Sequence, residues 1–118
     1  MKQLTVIVNE ALEEVKGKNI ITLDVTDITA VMDTVIVVSG NTNRQVKALS
    51  NAVIEASKKA GFQPLGVEGM DGGEWVLVDL LDVVVHIMQP AVRDFYELEK
   101  LWSVRPNNTI VDNIKFNT

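Results

Sequence analysis

The residue types best suited to chemistry lie close together in one part of the chain. Asp79, Asp82 and the single histidine, His86, fall within eight residues of one another. Carboxylate and imidazole groups can transfer protons or bind a metal ion. One histidine in a chain without cysteine makes a poor zinc site, because zinc sites in proteins use three or four such ligands. We therefore predict no metal site and no cofactor.

Charge separates this part of the chain from the rest. Residues 68–99 carry eight of the sixteen acidic side chains and only one basic side chain, Arg93, so their formal charge is −7 in a chain of net charge −5. The same segment contains Trp75 and Tyr96. An acidic surface with aromatic and apolar groups repels phosphate and suits a basic protein partner. The composition therefore favours a docking surface over a catalytic centre.

Hydrophobic periodicity predicts the helices that support this segment. Leu4, Val8, Ala11, Leu12 and Val15 repeat at helical spacing, and Gly17 is the predicted C-terminal cap. Thr42 and Gln45 form a capping-box pattern that starts a second helix near Asn43, with Val46, Leu49, Val53, Ala56 and Ala60 on its buried face and Gly61 at its end. Pro90 predicts the start of a third helix, with Phe95, Leu98 and Trp102 on one face.

Short β-branched or alternating runs predict strands at residues 20–25, 34–39, 63–67, 75–80 and 83–88. The run at 34–39 is apolar on both faces, which is typical of a central strand covered on both sides. The order of elements predicts one α/β domain over residues 1–105, a mixed sheet of about five strands packed by three helices. The asparagine-rich residues 106–118 predict a loosely ordered tail.

Alternation along the predicted strands divides their side chains between two faces. Val76, Val78 and Leu80 form an aliphatic face that must be the core side, whereas the opposite face is amphipathic. We predict a partner-binding surface on that second face and beside it, made of Trp75, Leu77, Asp79, Asp82, His86, Met88 and Tyr96. Three alternatives stay open. A helix could cover Trp75, His86 could be a hydrogen-bonded structural residue, and Tyr96 could be core or rim.

The length and composition limit the class of protein. A chain of 118 residues with 47% hydrophobic residues forms one domain, and the absence of cysteine suits a reducing compartment. No apolar run approaches the roughly 18–20 residues that span a bilayer. The N-terminal residues include Asn9, Glu10 and Glu13, which fit neither a signal peptide nor a transit peptide. We therefore predict a cytoplasmic protein.

Four blocks in sequence order resemble the Iojap family, the ribosomal silencing factors called RsfS. The blocks are residues 33–46 (DTVIVVSG followed by NRQV), 64–69 (PLGVEG), 74–86 (EWVLVDLLDVVVH) and 93–102 (RDFYELEKLW). No single block is specific, but the ordered set is. The resemblance departs at Thr34-Val35, where the family commonly has aromatic residues, and at Leu81, where it commonly has glycine. Leucine does not adopt a positive φ as readily as glycine does.

The resemblance implies a fold similar to nucleotidyltransferases but without their activity. It implies that the protein binds large-subunit ribosomal protein fourteen on the intersubunit face, prevents the small subunit from joining and so represses translation when nutrients are limiting. Related organelle proteins act in ribosome assembly, so a role as a large-subunit assembly factor is an alternative.

A metal-dependent nucleotidyltransferase-like enzyme is the catalytic alternative. Such enzymes need a Gly-Ser turn for the triphosphate and clustered carboxylates for magnesium. Ser39-Gly40 has the reverse order, and a predicted turn separates Asp79 from Asp82. The glycines between residues 66 and 73 lack a following Lys-Ser/Thr and do not form a P-loop. We therefore predict that the protein is not an enzyme.

Three further contacts are suggested by the remaining surface. Arg44, Lys47, Lys58 and Lys59 on the second helix could touch rRNA peripherally, but a pI near 4.7 lacks the footprint of a primary RNA binder. Arg93 and Glu97 predict a surface ion pair on the third helix. An exposed apolar sheet face could also pair with a second copy of the chain, so a homodimer in the absence of the ribosome is an open alternative.

Overall fold

The protein is an α/β domain in which a five-stranded sheet packs with three helices. The computed structural model describes the backbone of residues 3–96 and the side chains of residues 3–93. The elements are α1 (Leu4–Glu14), β1 (Lys18–Asp24), β2 (Thr34–Ser39), α2 (Asn43–Lys59), β3 (Gly66–Glu68), β4 (Trp75–Asp79), β5 (Val83–Met88) and α3 (Pro90–Tyr96). The predicted element order and fold class are confirmed. The predicted tail and the predicted positions of Leu98 and Trp102 lie outside the described residues, as does the side chain of Phe95.

The sheet has the strand order β1-β2-β5-β4-β3 and is mixed, as predicted. β2 pairs antiparallel with β1 and parallel with β5, whereas β4 pairs antiparallel with both β5 and β3. Residues 35–39 of β2 are buried on both faces, which confirms the central strand that its continuous apolar run predicts.

The main core lies between the sheet and helices α1 and α2. Its buried residues come from alternate positions of the central strands and from one face of each helix: Leu4, Val8, Leu12, Ile36, Val38, Val46, Leu49, Val53, Val76, Val78, Leu80, Val83, Val85 and Ile87. The aliphatic face predicted for residues 76, 78 and 80 is therefore the core side. We call this helix-covered side the inner face of the sheet and the opposite side the outer face.

The start of α2 differs in one contact from the predicted capping box. Thr42 caps the helix as expected, because its hydroxyl accepts a hydrogen bond from the Gln45 backbone N–H at 3.0 Å. The Gln45 side chain does not return to Thr42 and instead donates to the Val15 carbonyl at 2.7 Å. It thereby satisfies an acceptor at the end of α1, where the last carbonyls of a helix lack internal partners. Gln45 joins the two helices.

The end of α1 is displaced by one residue from the prediction. Lys16, not Gly17, adopts the left-handed conformation, with φ 63°. The Lys16 N–H donates to the Glu13 carbonyl and the Gly17 N–H to the Leu12 carbonyl, which together form a Schellman motif. Glycine is needed at position 17 for space, since a Cβ there would lie 2.6 Å from Val38 Cγ2.

Two strands begin at positions that differ from the predicted ones. β1 begins two residues early, at Lys18, where the register with β2 is irregular and Asn19 has a positive φ of 52°. β3 begins at Gly66, three residues later than predicted, and is only three residues long. None of the helices in the described part of the chain combines the length and apolar character needed to cross a bilayer.

Candidate partner-binding face

The strand register aligns the predicted surface residues in rows across the outer face. Leu77 is opposite His86 and Glu68, and Trp75 is opposite Met88. From β2 towards β3 the rows are Val35–Val84–Asp79–Gly66, Val37–His86–Leu77–Glu68 and Ser39–Met88–Trp75. The period-two prediction that Trp75, Leu77, Asp79, His86 and Met88 share a face is therefore confirmed.

A second, smaller core covers one part of the outer face. Buried Val25, Val35, Val37 and Met88 pack there with the partly buried Leu23, Ile28, Met32, Trp75 and Val92. The covering residues come from the end of β1, the connection between β1 and β2, and the start of α3. They lie over β2 and β5, so the residues of β3 and β4 are less covered. Trp75 stands at the boundary between these two regions.

His86 and Met88 were predicted to contribute directly to the docking surface, and the structure contradicts this. His86 is 3% exposed and Met88 is 0% exposed. Both lie on the predicted face, but the second core covers β5, and strand alternation gives no information about such a cover. Neither side chain is therefore available to touch a partner.

The buried His86 side chain fixes the orientation of Trp75. The Trp75 indole Nε1–H donates a hydrogen bond to His86 Nδ1 at 3.1 Å, and the two ring centroids are 5.9 Å apart. Because Nδ1 accepts this bond, the neutral imidazole carries its proton on Nε2. Burial disfavours the charged imidazolium and lowers the pKa of His86 from 6.5 to about 4. His86 therefore remains neutral at physiological pH and holds the indole in place, as the structural alternative anticipates.

Trp75, Leu77 and Asp79 are only partly buried and form the accessible part of the predicted surface. Beside them lies an open groove of about 280 Å³, lined by Met32, Gly66, Glu68, Leu77, Asp79 and Val84. We call it the β3–β4 groove. The sequence predicts Leu77 and Asp79 as contact residues but misses the other four. In the sequence, Glu68 is one of the clustered acids and Gly66 belongs to a glycine-rich connection; both lie in the block 64–69, but neither is predicted as a contact residue.

The turn between β4 and β5 places Asp79 and Asp82 in different roles. One oxygen of the Asp79 carboxylate accepts the Leu81 backbone N–H at 2.9 Å, whereas Asp82 is exposed in the turn. Leu81 adopts a positive φ of 80° and is 58% exposed, so leucine occupies the conformation that glycine takes more easily. Among the residues that the structure describes, no group of three or more His, Cys, Asp or Glu side chains is placed to hold a metal ion.

Arg93, predicted to lie on the surface in an ion pair with Glu97, is buried. It is 5% exposed and its guanidinium donates to the Ser39 hydroxyl at 2.9 Å. Ser39 lies on the outer face in the row of Met88 and Trp75. The hydrogen bond from Arg93 therefore links the start of α3 to β2 at the edge of the second core. Glu97 lies outside the described residues, and so does the side chain of Tyr96.

The described residues define the class of protein as an α/β domain with helices α1 and α2 on one face of its sheet and an acidic, partly apolar face on the other. Comparison with known proteins gives the family. The protein family RsfS, described as "Ribosomal silencing factor during starvation", matches residues 1–117. The chain belongs to the RsfS family of ribosomal silencing factors, which confirms the family suggested by its four sequence blocks.

Individual relatives agree with this assignment over most of their length. The ribosomal silencing factor RsfS of Chromobacterium violaceum is 51% identical over 102 residues, which are 86% of this chain and 84% of that protein. The RsfS of Bacillus subtilis is 36% identical over 105 residues, 89% of each chain. A crystal structure of a Chromobacterium violaceum protein that is 51% identical has a TM-score of 0.84 and covers 86% of this chain and 85% of its own.

Proposed function

We propose that this protein represses translation in the cytoplasm by binding large-subunit ribosomal protein fourteen on the intersubunit face, so that the small subunit cannot join. The contact is made by the partly exposed outer face at Trp75, Leu77 and Asp79, with Asp82 at its end and Tyr96 as a further predicted contact. Membership of the ribosomal silencing factor family carries this proposal. The character of the face supports it.

The face combines the features of a protein interface. Trp75 offers a large partly buried ring whose orientation is fixed by His86, so little conformational freedom is lost when it is covered. Leu77 extends the apolar surface and Asp79 adds negative charge at its edge. Tryptophan is enriched among the residues that dominate binding energy, and acidic groups around it attract a basic partner. Ribosomal RNA is repelled by the same charge, which makes a ribosomal protein the better target.

Sedimentation with ribosomal subunits tests this function directly. Purified protein is mixed with large subunits, small subunits are added, and the mixture is separated on a sucrose gradient. We expect the protein to move with the large subunit and the fraction of joined ribosomes to fall. Normal joining at saturating protein would refute the proposed repression, and absence from the large-subunit fraction would refute the proposed binding.

A substitution at Trp75 tests the placement of the contact. Trp75→Ala should weaken binding to the purified ribosomal protein by about 2 kcal/mol or more if the indole is a central anchor. Val6→Ala is the matched control, because Val6 is also apolar and 42% exposed but lies on α1, on the inner side of the sheet. Calorimetry gives the affinities, and urea unfolding of each variant verifies that it is folded. Equal affinities for Trp75→Ala and wild type would place the interface elsewhere.

The proposal treats the protein as non-catalytic. One oxygen of Asp79 is engaged by the Leu81 N–H, and Asp82 lies beyond the turn, so the two carboxylates have separate surroundings. We expect no pyrophosphate release when the protein is incubated with each nucleoside triphosphate and magnesium. Release that disappears in the Asp79→Asn, Asp82→Asn double variant would instead support the nucleotidyltransferase-like alternative.

A further inference from the structure

We propose that the β3–β4 groove receives a long basic side chain, a lysine or an arginine, from the ribosomal partner. This inference rests on the proposed function and specifies its chemistry. It assigns contact roles to Gly66 and Glu68, which the sequence pattern does not single out, and places the partner's cation between Glu68 and Asp79.

The shape of the groove depends on the missing side chain of Gly66. Gly66 is paired with Asp79, and a Cβ at position 66 would have no atom within 4 Å. The space above the edge strand is therefore open and not filled by the protein's own packing. Leu77, Val84 and Met32 supply apolar lining. The methylene stem of a lysine or arginine packs against such a lining while its charged end reaches the rim.

The negative charge of the groove favours a cationic group at the end of that side chain. Glu68 is exposed, Asp79 is half-buried, and none of the other four lining residues is charged. In the register of β3 and β4, Glu68 pairs with Leu77 and Gly66 with Asp79, so Glu68 and Asp79 are diagonal neighbours. Diagonal residues of adjacent strands lie about 7–8 Å apart, which leaves room for an ammonium or guanidinium group between the two carboxylates. The single hydrogen bond from Leu81 leaves Asp79 with further acceptor capacity.

Filling the groove is the first test. Gly66→Val adds a β-branched side chain where the structure has free space, on a strand that favours this residue type. We expect the free energy of unfolding to stay the same or rise, and the affinity for the large subunit to fall about ten-fold or more. Gly72→Val is the matched control, since a Cβ there also meets no atom within 4 Å but the residue lies in the exposed loop before β4. This control should bind like wild type.

Removing the charges is the second test. Glu68→Gln and Asp79→Asn should each weaken binding and reduce its dependence on salt concentration, because each deletes one partner of the proposed cation. Asparagine at position 79 retains an oxygen to accept the Leu81 N–H. Glu55→Gln is the control, because Glu55 is exposed on α2 on the opposite side of the sheet. It should leave both affinity and salt dependence unchanged.

The two tests separate the inference from the function on which it rests. If wild-type protein binds the large subunit and Gly66→Val and Glu68→Gln bind equally well at every salt concentration, the groove is not a contact and only this inference is overturned. If wild-type protein fails to sediment with the large subunit, the proposed function fails and the inference with it. Loss of binding in Gly66→Val but not in Gly72→Val, with both variants folded, supports the groove.

Discussion

The buried histidine makes the stability of the domain depend on pH in a defined direction. Burial lowers the pKa of His86 from 6.5 to about 4. Above pH 6.5 the imidazole is neutral in both the folded and the unfolded chain. Between pH 6.5 and about 4 the unfolded chain binds a proton that the folded protein excludes, so the free energy of unfolding falls as the pH falls. This lowering of the pKa corresponds to a total loss of stability of about 3 kcal/mol.

Urea unfolding at a series of pH values from 8 to 4 measures this loss. Other groups also contribute to the pH dependence, so His86→Asn is measured alongside wild type to isolate the imidazole. Asparagine removes the titrating group and keeps an oxygen acceptor near the position of Nδ1 for the Trp75 indole. We expect the difference between the two proteins to change by about 3 kcal/mol across this window, with wild type losing more stability at low pH.

A direct titration checks the cause. His86 is the only histidine in the chain, so its imidazole signals in an NMR spectrum need no separate assignment among histidines. The folded protein should show a neutral ring with its proton on Nε2 down to pH 5. A midpoint near 6.5 in the folded protein, or parallel pH profiles for wild type and His86→Asn, would refute the argument from burial.

Three substitutions test the local geometry by urea unfolding. Leu81→Gly should raise the free energy of unfolding by about 0.5–1 kcal/mol, because glycine adopts the left-handed conformation of this turn without strain. The greater freedom of glycine in the unfolded chain offsets part of this gain, and a decrease would contradict the strained turn. Gly17→Ala should lower it by about 1–3 kcal/mol, because the new methyl group would lie 2.6 Å from Val38, and a neutral result would mean that this contact relaxes freely. Thr42→Ala should cost about 1 kcal/mol by removing the acceptor for the Gln45 N–H, whereas Thr42→Ser should cost much less.

Much of the fold can be predicted because local pattern and tertiary environment agree. The apolar stripe predicted for α2 is buried at Val46, Leu49 and Val53 and half-buried at Ala56 and Ala60. Gly61 has the left-handed conformation expected of a helix cap, with φ 92°. The β-branched run in β2 is buried on both faces. In each case one physical cause, either helical period or strand alternation, determines the outcome without reference to distant residues.

The candidate site is less predictable because it depends on distant segments. Alternation places His86 on the outer face, but its burial depends on how the chain after β1 and the start of α3 lie over β5. The β3–β4 groove exists because Gly66 pairs with Asp79, and that register cannot be read from the glycine-rich sequence around it. The hydrogen bond of the Gln45 side chain is a second example. The capping pattern predicts a bond to the start of its own helix, but the side chain donates to the nearby Val15 carbonyl instead.

The parallel pairing of β2 with β5 has a consequence for synthesis of the protein. The two strands are separated in the chain by α2, β3 and β4, so their hydrogen bonds are non-local and form only after the intervening elements have been made. A nascent chain that ends before residue 83 lacks β5, so one edge of β2 is unpaired and β4 has only β3 as a neighbour. The surface proposed to stop translation is therefore completed only when nearly all of its own domain has left the ribosome.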